Sequence, residues 1–301
     1  MDHSFKTIDP KSLSIPERQN LLSSAVAPRP ISFASTVDLD GNVNLSPFSF
    51  FNVFSSNPPI LIFSPARRGR DNTTKHTYQN VKVVPEVVIN IVNYPMVEQM
   101  SLASTEYAKG VNEFTKAGFT EIASETIKPP RVAESPVSFE CTVDQVIELG
   151  TEGGAGNLVL ARVQLIHVNE KYLDDTGKLD TTILDLIGRM GGSWYTRSGK
   201  ESLFEIPKPL QTKGIGVDQL PISVQRSEVL TGNNLGRLGN IEQVPTPDQI
   251  NKVKGMLEEI GLSKSYSGNE LRTKVHELAK SVLEDGNPIQ ALAILLAIED
   301  E

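Results

Sequence analysis

A strand, a tight turn and a second strand can be read directly from residues 31–52, and this pair constrains the fold more than any other part of the chain. Apolar and small polar residues alternate from Ile31 to Val37, which is the period-2 pattern of a half-buried β-strand. Asp40-Gly41-Asn42 then forms a turn, and serines alternate with phenylalanines from Leu45 to Asn52. The segment predicts an antiparallel hairpin lined with hydroxyls and aromatic rings.

Strand-like segments continue through the first two-thirds of the chain and are joined by short connections. These patterns lie at 60–63, 87–92, 137–143 and 158–168. Glycines within 150–156 predict a hairpin connection between the last two strands. Helical spacing interrupts the pattern at 96–107 and in a short turn at 113–117. Many strands with few helices favour a mainly β, antiparallel barrel over a doubly wound parallel sheet.

The composition changes near Pro245, where the strand pattern stops and helical spacing begins. Apolar residues predict helices over 250–260 and 271–283, each followed by a glycine, and a third helix that begins at Asn287-Pro288. The predicted organisation is a β-domain over 1–217, a linker rich in Gly, Asn and Pro over 218–244, and a small C-terminal helical extension over 245–301.

Composition and charge argue against several classes of function. The 301 residues include 29 Lys and Arg against 37 Asp and Glu, and the formal net charge of −8 argues against nucleic acid and anionic membranes as partners. Residues 1–6 do not resemble the start of a secretory signal, and no apolar run has the length of a membrane span. Cys141 is the single cysteine, which excludes an intrachain disulfide framework and a thiolate zinc site. We expect a cytoplasmic protein without a metal site.

The hydroxyls and rings of the hairpin suit a ligand that is flat and apolar at one end and anionic at the other. Hydroxyls and backbone N–H groups hold phosphate, apolar walls hold a ring system, and flavin mononucleotide (FMN) has both parts. Downstream, the segment Arg67–Thr77 carries three arginines, a lysine and several hydroxyls, which together can pair with a dianion. The alternative interpretation is a solvated basic loop.

Other conspicuous residues have structural interpretations. The segment Gly153–Gly156 is not followed by Lys and Ser or Thr, as a phosphate loop requires, and it joins two predicted strands. His167 lies in a predicted strand and has no second ligand at metal-binding spacing, so we interpret it as a structural histidine. Cys141 alternates with core residues and is interpreted as a small buried hydrophobic residue.

Three segments together resemble one known family. Arg29–Asn52 is the specific part, and Lys75-His76-Thr77 and Gly188–Tyr195 support it. The chain resembles the flavin reductase-like (flavoredoxin-like) family of FMN-binding split barrels from about Leu21 to Tyr195, and more loosely to Val217. That family carries Lys-Asp-Thr at the triplet, with its Lys and Thr at the flavin phosphate, whereas this chain has His in the middle.

The resemblance implies an antiparallel split β-barrel, FMN bound without a covalent link, and a homodimer with each flavin near the subunit interface. It assigns the phosphate to Ser35, Thr36, Lys75 and Thr77, with possible help from Arg70, and the ring to Ser46, Phe48, Ser49 and Asn52. Arg189 and Tyr195 are assigned to the substrate or the dimer interface, and the alternative for their segment is a tight turn with a packed tryptophan. No residue is assigned a catalytic role.

The implied activity is that of an NAD(P)H-dependent flavin reductase. NADH or NADPH passes a hydride to the flavin, which gives electrons to free flavin, a ferric complex, oxygen or a partner protein. The alternative is an FMN-carrying electron-transfer or flavin-binding module without its own NAD(P)H activity. In that case the helical extension is a docking surface for a partner; otherwise it is a lid or buttress.

Overall fold

The computed structural model describes residues 4–206 and 213–298, which divide into two compact units with a boundary between Phe204 and Glu205. Each unit has its own hydrophobic core. The sequence places the corresponding boundary thirteen residues later, between 217 and 218. Within the described ranges, no helix combines the length and the apolar character needed to cross a lipid bilayer.

The first unit contains β-strands at each predicted position and four α-helices within its described residues, but the strand predicted to continue to Asn52 ends at Phe48 and a new strand begins at Phe51. In chain order its elements are α1 (Ile15–Ala25), β1 (Ser32–Val37), β2 (Val43–Phe48), β3 (Phe51–Ser56), β4 (Pro59–Phe63), α2 (His76–Val83), β5 (Glu86–Ile91), α3 (Val97–Leu102), α4 (Glu113–Ala117), β6 (Glu121–Ile122), β7 (Arg131–Val132), β8 (Val137–Glu148), β9 (Asn157–Val168), β10 (Leu186–Arg189) and β11 (Tyr195–Ser198).

Seven strands form one antiparallel sheet in the order β2-β1-β5-β8-β9-β4-β3. Strands β2 and β3 lie at opposite edges of this sheet, yet only Ser49 and Phe50 separate them in the chain. Such a short connection spans on the order of 10 Å, so the sheet must curl until its two edges approach at this corner. The predicted antiparallel split β-barrel is therefore confirmed.

Both faces of β1 are buried because two different cores contact it. Ala34 packs on the inner face with Phe63 and Cys141. Phe33 packs on the outer face with Leu45 and with side chains from α3 and α4 such as Met100. Neighbouring residues of a strand point to opposite faces, so this alternation fixes the direction of every side chain of β1.

Helix α4 also covers the free edge of β2. The Glu113 carboxylate accepts a hydrogen bond from the backbone N–H of Leu45 at 2.9 Å, and burial raises the pKa of Glu113. An edge strand otherwise presents unpaired backbone groups to other chains. This contact positions β2 from the outside while the barrel positions it from the inside.

Two helices of the first unit were not predicted, and a third is shorter than predicted. Helix α1 begins at a capping box in which Ser14 and Glu17 bond reciprocally, with Pro16 in the first turn. Helix α3 ends at Leu102 within the predicted 96–107, where the Ser104 hydroxyl donates to the Ser101 carbonyl at 2.6 Å. Short side-chain bonds to the backbone compete with helix continuation.

The second unit is helical throughout its described elements. These are α5 (Ile222–Gln225), α6 (Gly232–Gly239), α7 (Pro247–Glu259), α8 (Leu262–Ser265), α9 (Gly268–Glu284) and α10 (Pro288–Leu296). The predicted C-terminal helical extension is confirmed, and two further helices lie in the range predicted as a linker. Leu220, Val224 and Leu238 from that range are buried in the same core as Leu257 and Leu292, so packing overrides the local Gly and Asn content.

Candidate functional site

One row of side chains along β1 and β2 faces the inside of the barrel. Thr36 pairs with Asn44 in the sheet register, and Ala34 pairs with Ser46. Phe48 follows two residues later on the same face, where its ring lies 5.5 Å from that of Phe63. Three of the predicted ligand residues, Thr36, Ser46 and Phe48, are therefore brought onto one face.

Helix α2 is fixed to this row by two buried hydrogen bonds. The Asn44 side-chain amide donates to the Thr77 hydroxyl at 2.9 Å, and the Asn80 amide donates to the Thr36 hydroxyl at 3.1 Å. All four side chains are buried, so loss of either amide would leave a buried hydroxyl without its donor. The two bonds hold the first turn of α2 beside the ends of β1 and β2.

The first turn of α2 has no side-chain cap. Lys75 occupies the N-cap position without a capping hydrogen bond, so the backbone N–H groups of His76, Thr77 and Tyr78 find no capping partner among the described residues. The helix dipole adds a partial positive charge at this end. Uncapped donors and the dipole together favour an anion here.

The arginines of the basic loop are largely engaged with the protein itself. Arg67 donates to the side-chain and backbone oxygens of Asn72 at 2.6 and 2.7 Å. Arg68 lies 2.7 Å from a Glu106 carboxylate oxygen, and Arg70 pairs with Glu106 and with Asp71. Arg70, expected to help hold the phosphate, is therefore already bound to two carboxylates.

Lys75 is uncompensated: its ammonium group has neither a hydrogen bond nor an ion pair within the described residues, whereas the arginines of the loop each have hydrogen bonds. Burial lowers the pKa of its ammonium group, and the neighbouring charge of Arg68 lowers it further. Within residues 4–206 and 213–298, no carboxylate lies within ion-pair distance of Lys75. An anion bound here would remove the cost of holding this half-buried charge.

These groups fit the phosphate of FMN. Lys75 supplies an ammonium group and the first turn of α2 supplies N–H donors. The hydroxyls of Thr36 and Thr77 each accept one bond and still carry a proton to donate. Beyond them, the half-buried Ser46 and the buried ring of Phe48 continue along the inner face.

Three of the predicted ligand residues lie away from this row. Ser35 is fully buried on the outer face beside Leu45, and its hydroxyl has no hydrogen-bond partner in the described part of the chain. Asn52 is exposed on β3, and its side chain accepts a bond from the backbone N–H of Val53. Ser49 lies half-buried at the corner between β2 and β3.

Arg189 and Tyr195 contact each other across the β10–β11 hairpin. They pair in its register, and the guanidinium lies 4.6 Å from the ring centre. Backbone bonds between Arg189 and Arg29 place this hairpin at the start of β1, whereas α2 packs at its end. At about 3.3 Å per residue, the Arg189–Tyr195 pair and the first turn of α2 are roughly 20 Å apart along β1.

The glycine pair of this hairpin turn approaches α1 of the same chain. A Cβ built on Gly191 would lie 2.9 Å from the Ser24 Cβ, which is too close for any side chain. The Arg29 guanidinium donates to the Val26 carbonyl of α1 at 2.7 Å and to the Met190 carbonyl at 2.9 Å. Trp194 is 78% exposed, so a packed tryptophan does not hold this turn.

The two residues with structural interpretations behave as predicted. The His167 ring lies 2.8 Å from the Glu140 carboxylate, which also accepts bonds from the backbone N–H groups of Glu125 and Thr126 and from the Thr126 hydroxyl. Cys141 is fully buried in the inner core, and burial raises the pKa of its thiol. The interpretation of Cys141 as a small buried hydrophobic residue is confirmed, and His167 has a structural partner in Glu140.

Sequence reasoning missed the residues that support the site from a distance. Asn44 and Asn80 donate hydrogen bonds to the two threonines, and Glu106 forms ion pairs with two arginines. No sequence pattern pointed to any of these three residues. The hydrogen-bonded partners lie 33 and 44 positions apart in the chain, and Arg70 lies 36 positions from Glu106. No local pattern signals such a pair.

Comparison with known proteins places the first unit among flavin-related proteins. A family model described as "Flavin reductase like domain" matches residues 24–182. An uncharacterized protein of Aquifex aeolicus (strain VF5) is 36% identical over 186 residues, which cover 62% of this chain and 92% of the relative.

Solved structures share the fold of the same unit. Nitrilotriacetate monooxygenase component B from Bacillus cereus has a TM-score of 0.63 and 28% identity, over 68% of this chain and 100% of that chain. Flavoredoxin of Desulfovibrio vulgaris (Miyazaki F) has a TM-score of 0.52 and 20% identity, over 62% of this chain and 93% of that chain. The second likeness concerns the fold alone.

Proposed function

The chain belongs to the flavin reductase-like family, and from that premise we propose that it is an FMN-binding oxidoreductase that takes electrons from NADH or NADPH. The observation that carries the proposal is the uncompensated Lys75 at the uncapped start of α2. A half-buried ammonium group without a carboxylate is costly unless a ligand brings the missing negative charge.

The chain's residues have distinct tasks in this proposal. Lys75 and the first-turn N–H groups of α2 bind the phosphate, while Asn44 and Asn80 orient the hydroxyls of Thr77 and Thr36 toward it. Ser46 and Phe48 contact the ring, together with Ser49 at the barrel corner. Bound FMN supplies hydride acceptance and onward electron transfer, so the protein contributes binding and orientation.

Asn52 remains a proposed ligand through a different part of the flavin or through a second subunit, whereas Ser35 does not. Asn52 is exposed at the sheet edge, where a partner can reach it, whereas Ser35 is enclosed by the outer core. We therefore expect Ser35→Ala to leave FMN affinity unchanged.

The electron acceptor is proposed to be free flavin, a ferric complex or a partner protein. The Bacillus cereus neighbour is named as one component of a monooxygenase, which supports a protein partner among these candidates. The homodimer is also a proposal, with Arg189 and Tyr195 at the substrate or the interface. Light scattering after gel filtration should give twice the 32.9 kDa chain mass; a monomer mass at every concentration would contradict the dimer.

The binding test compares FMN with riboflavin, which lacks the phosphate. Protein incubated with excess FMN and passed through gel filtration should retain flavin absorbance. Lys75→Gln should weaken FMN about 10- to 100-fold, because a hydrogen bond to a charged group contributes about 1.5–3 kcal/mol, and should leave riboflavin nearly unchanged.

The matched control lies on the same helix. Lys82, in the last turn of α2, pairs with Glu148 at 3.2 Å, and Lys82→Gln should leave both affinities unchanged. Equal losses of FMN and riboflavin in Lys75→Gln would move the phosphate site elsewhere. Absence of flavin absorbance after gel filtration of the unmodified protein would contradict FMN binding itself.

A further inference from the structure

His76 is the first residue of α2, and its half-buried imidazole forms no hydrogen bond with the described residues. The ring lines a polar cleft beside the phosphate-binding turn. The other lining residues are Asp38, Asn42, Val43, Asn44, Asn80, Lys109, Gly110 and Val111. The imidazole therefore follows Lys75 directly in the chain and lies in the first turn of α2, beside the two asparagines that hold Thr36 and Thr77.

Charged groups reach His76 from every element around it. Its pKa responds to Arg68 of the basic loop, to Lys75 at the N-cap, and to Glu106 and Lys109 after α3. Asp38 at the end of β1 lines the same cleft and lies 3.9 Å from Lys109, while Arg70 and Asp71 act on the neighbouring Lys75. Three cations against two carboxylates leave one excess positive charge around His76 when its ring is neutral. Protonation of His76 adds a second.

These surroundings favour the neutral form of the imidazole over the protonated form. Burial lowers the pKa of His76, and the charges of Arg68 and Lys109 lower it further, while Glu106 opposes them. A phosphate dianion beside Lys75 would offset the same cations. The bound ligand would therefore favour the protonated ring.

We propose that His76 couples recognition of the flavin 5′-phosphate to the uptake of a proton, so that preference for FMN over riboflavin increases as the pH falls. The inference rests on the proposed function and adds a specificity-determining residue to its phosphate site. Coupling between two ligands is reciprocal, so a phosphate that favours the protonated imidazole is bound more tightly by it.

The direction of the effect follows from the two protonation equilibria. As the pH falls, the affinity begins to rise near the pKa of His76 in the complex, and it levels off below the pKa in the free protein. Each unit of difference between these two values contributes about tenfold in affinity. We expect a gain of several-fold to about tenfold between about pH 8 and about pH 5.5.

The experiment measures Kd for FMN and for riboflavin by flavin fluorescence across this pH range, in the unmodified chain and in His76→Asn. The ratio of the two proteins' affinities cancels the titration of the phosphate itself, which both proteins experience. The ratio for FMN should grow in favour of the unmodified chain as the pH falls, while the ratio for riboflavin stays flat. His76→Gln provides the same comparison if His76→Asn does not fold.

Calorimetry supplies an independent readout. FMN titrations in two buffers of different ionisation enthalpy give the protons taken up on binding, and the unmodified chain should take up more protons than His76→Asn near pH 6.5. Lys82→Gln, on the same helix, should match the unmodified chain.

The failures of the two proposals are distinguishable. Parallel pH profiles for FMN in the unmodified chain and in His76→Asn, or an equal pH effect on riboflavin, would overturn the role of His76 and leave FMN binding intact. Absence of FMN binding by both proteins at every pH would overturn the proposed function together with this inference.

Discussion

Glu140 shows how one buried carboxylate organises the chain around it. Burial alone would raise its pKa, but bonds from the Thr126 hydroxyl, from the N–H groups of Glu125 and Thr126 and from His167 outweigh burial and lower it to about 2. This one carboxylate of β8 thereby joins the loop residues Glu125 and Thr126 to His167 of β9. Removing the charge leaves one carbonyl oxygen to accept the bonds that two carboxylate oxygens accept now.

This geometry predicts the acid response of the first unit. The pKa of Glu140 is lowered from an ordinary value of about 4.3, so its contribution is present above that value and is lost as the pH falls toward about 2. The free energy of unfolding should decrease by roughly 3 kcal/mol from this group alone. Urea unfolding followed by circular dichroism at decreasing pH measures the loss.

Glu140→Gln should be less stable at neutral pH by about 3 kcal/mol and should show a shallower decrease on acidification, because its amide does not titrate. Glu258→Gln, exposed on α7, is the control and should follow the unmodified chain. A Glu140→Gln profile parallel to that of the unmodified chain would show that this carboxylate does not govern acid stability.

At the scale of elements, the contact between α1 and the β10–β11 turn is a close approach that a substitution can probe. A methyl group on Gly191 would lie 3.1 Å from the Ser24 Cα, so α1 or the turn must move. Overpacking of this kind costs about 1–3 kcal/mol, and we expect Gly191→Ala to lower the melting temperature accordingly.

Two further variants separate crowding from other effects. Ser24→Gly combined with Gly191→Ala removes the crowded side chain and should recover part of the loss. Gly255→Ala, on the exposed side of α7 with open space around it, should instead stabilise by about 0.5–1 kcal/mol, because alanine favours a helix over glycine. A fully stable Gly191→Ala would show that α1 is not held against this turn.

The elements differ in how far the sequence could predict them. The strands of the barrel follow from period-2 patterns, which are local. Helix α1 also carries a local signal, since Ser14 and Glu17 form a capping box and Pro16 lies in the first turn, a pattern that predicts a helix start. Helix α2 lacks any such signal because Lys75 does not cap it, so the start of the helix was interpreted as the end of a basic loop.

The candidate site was predictable in part for the same reason. Residue types that suit a phosphate could be located from sequence, but the partners that leave Lys75 uncompensated could not. Arg70 is removed from the site by Glu106, and Ser35 faces away from Thr36 because adjacent strand residues alternate. The first fact depends on a pairing across the fold, whereas the second follows from strand alternation, which is local.

At the scale of the whole molecule, the chain consists of two units with separate cores. The first unit carries the family resemblance, the barrel and the proposed flavin site. The second is built from helices whose core draws on residues 220–241 as well as on the predicted helices. Its start was predicted too late because glycine and asparagine in α6 resemble a linker, whereas Leu238 is fully buried.

The central claim is that the chain binds FMN and reduces it with a pyridine nucleotide. Anaerobic stopped-flow mixing of FMN-loaded protein with NADH, and separately with NADPH, follows this reduction through flavin absorbance. The proposed function predicts rapid loss of the oxidised flavin absorbance with at least one of the two donors. If dithionite bleaches the flavin and neither NADH nor NADPH does, the claim of reductase activity is contradicted, and the chain is an FMN carrier.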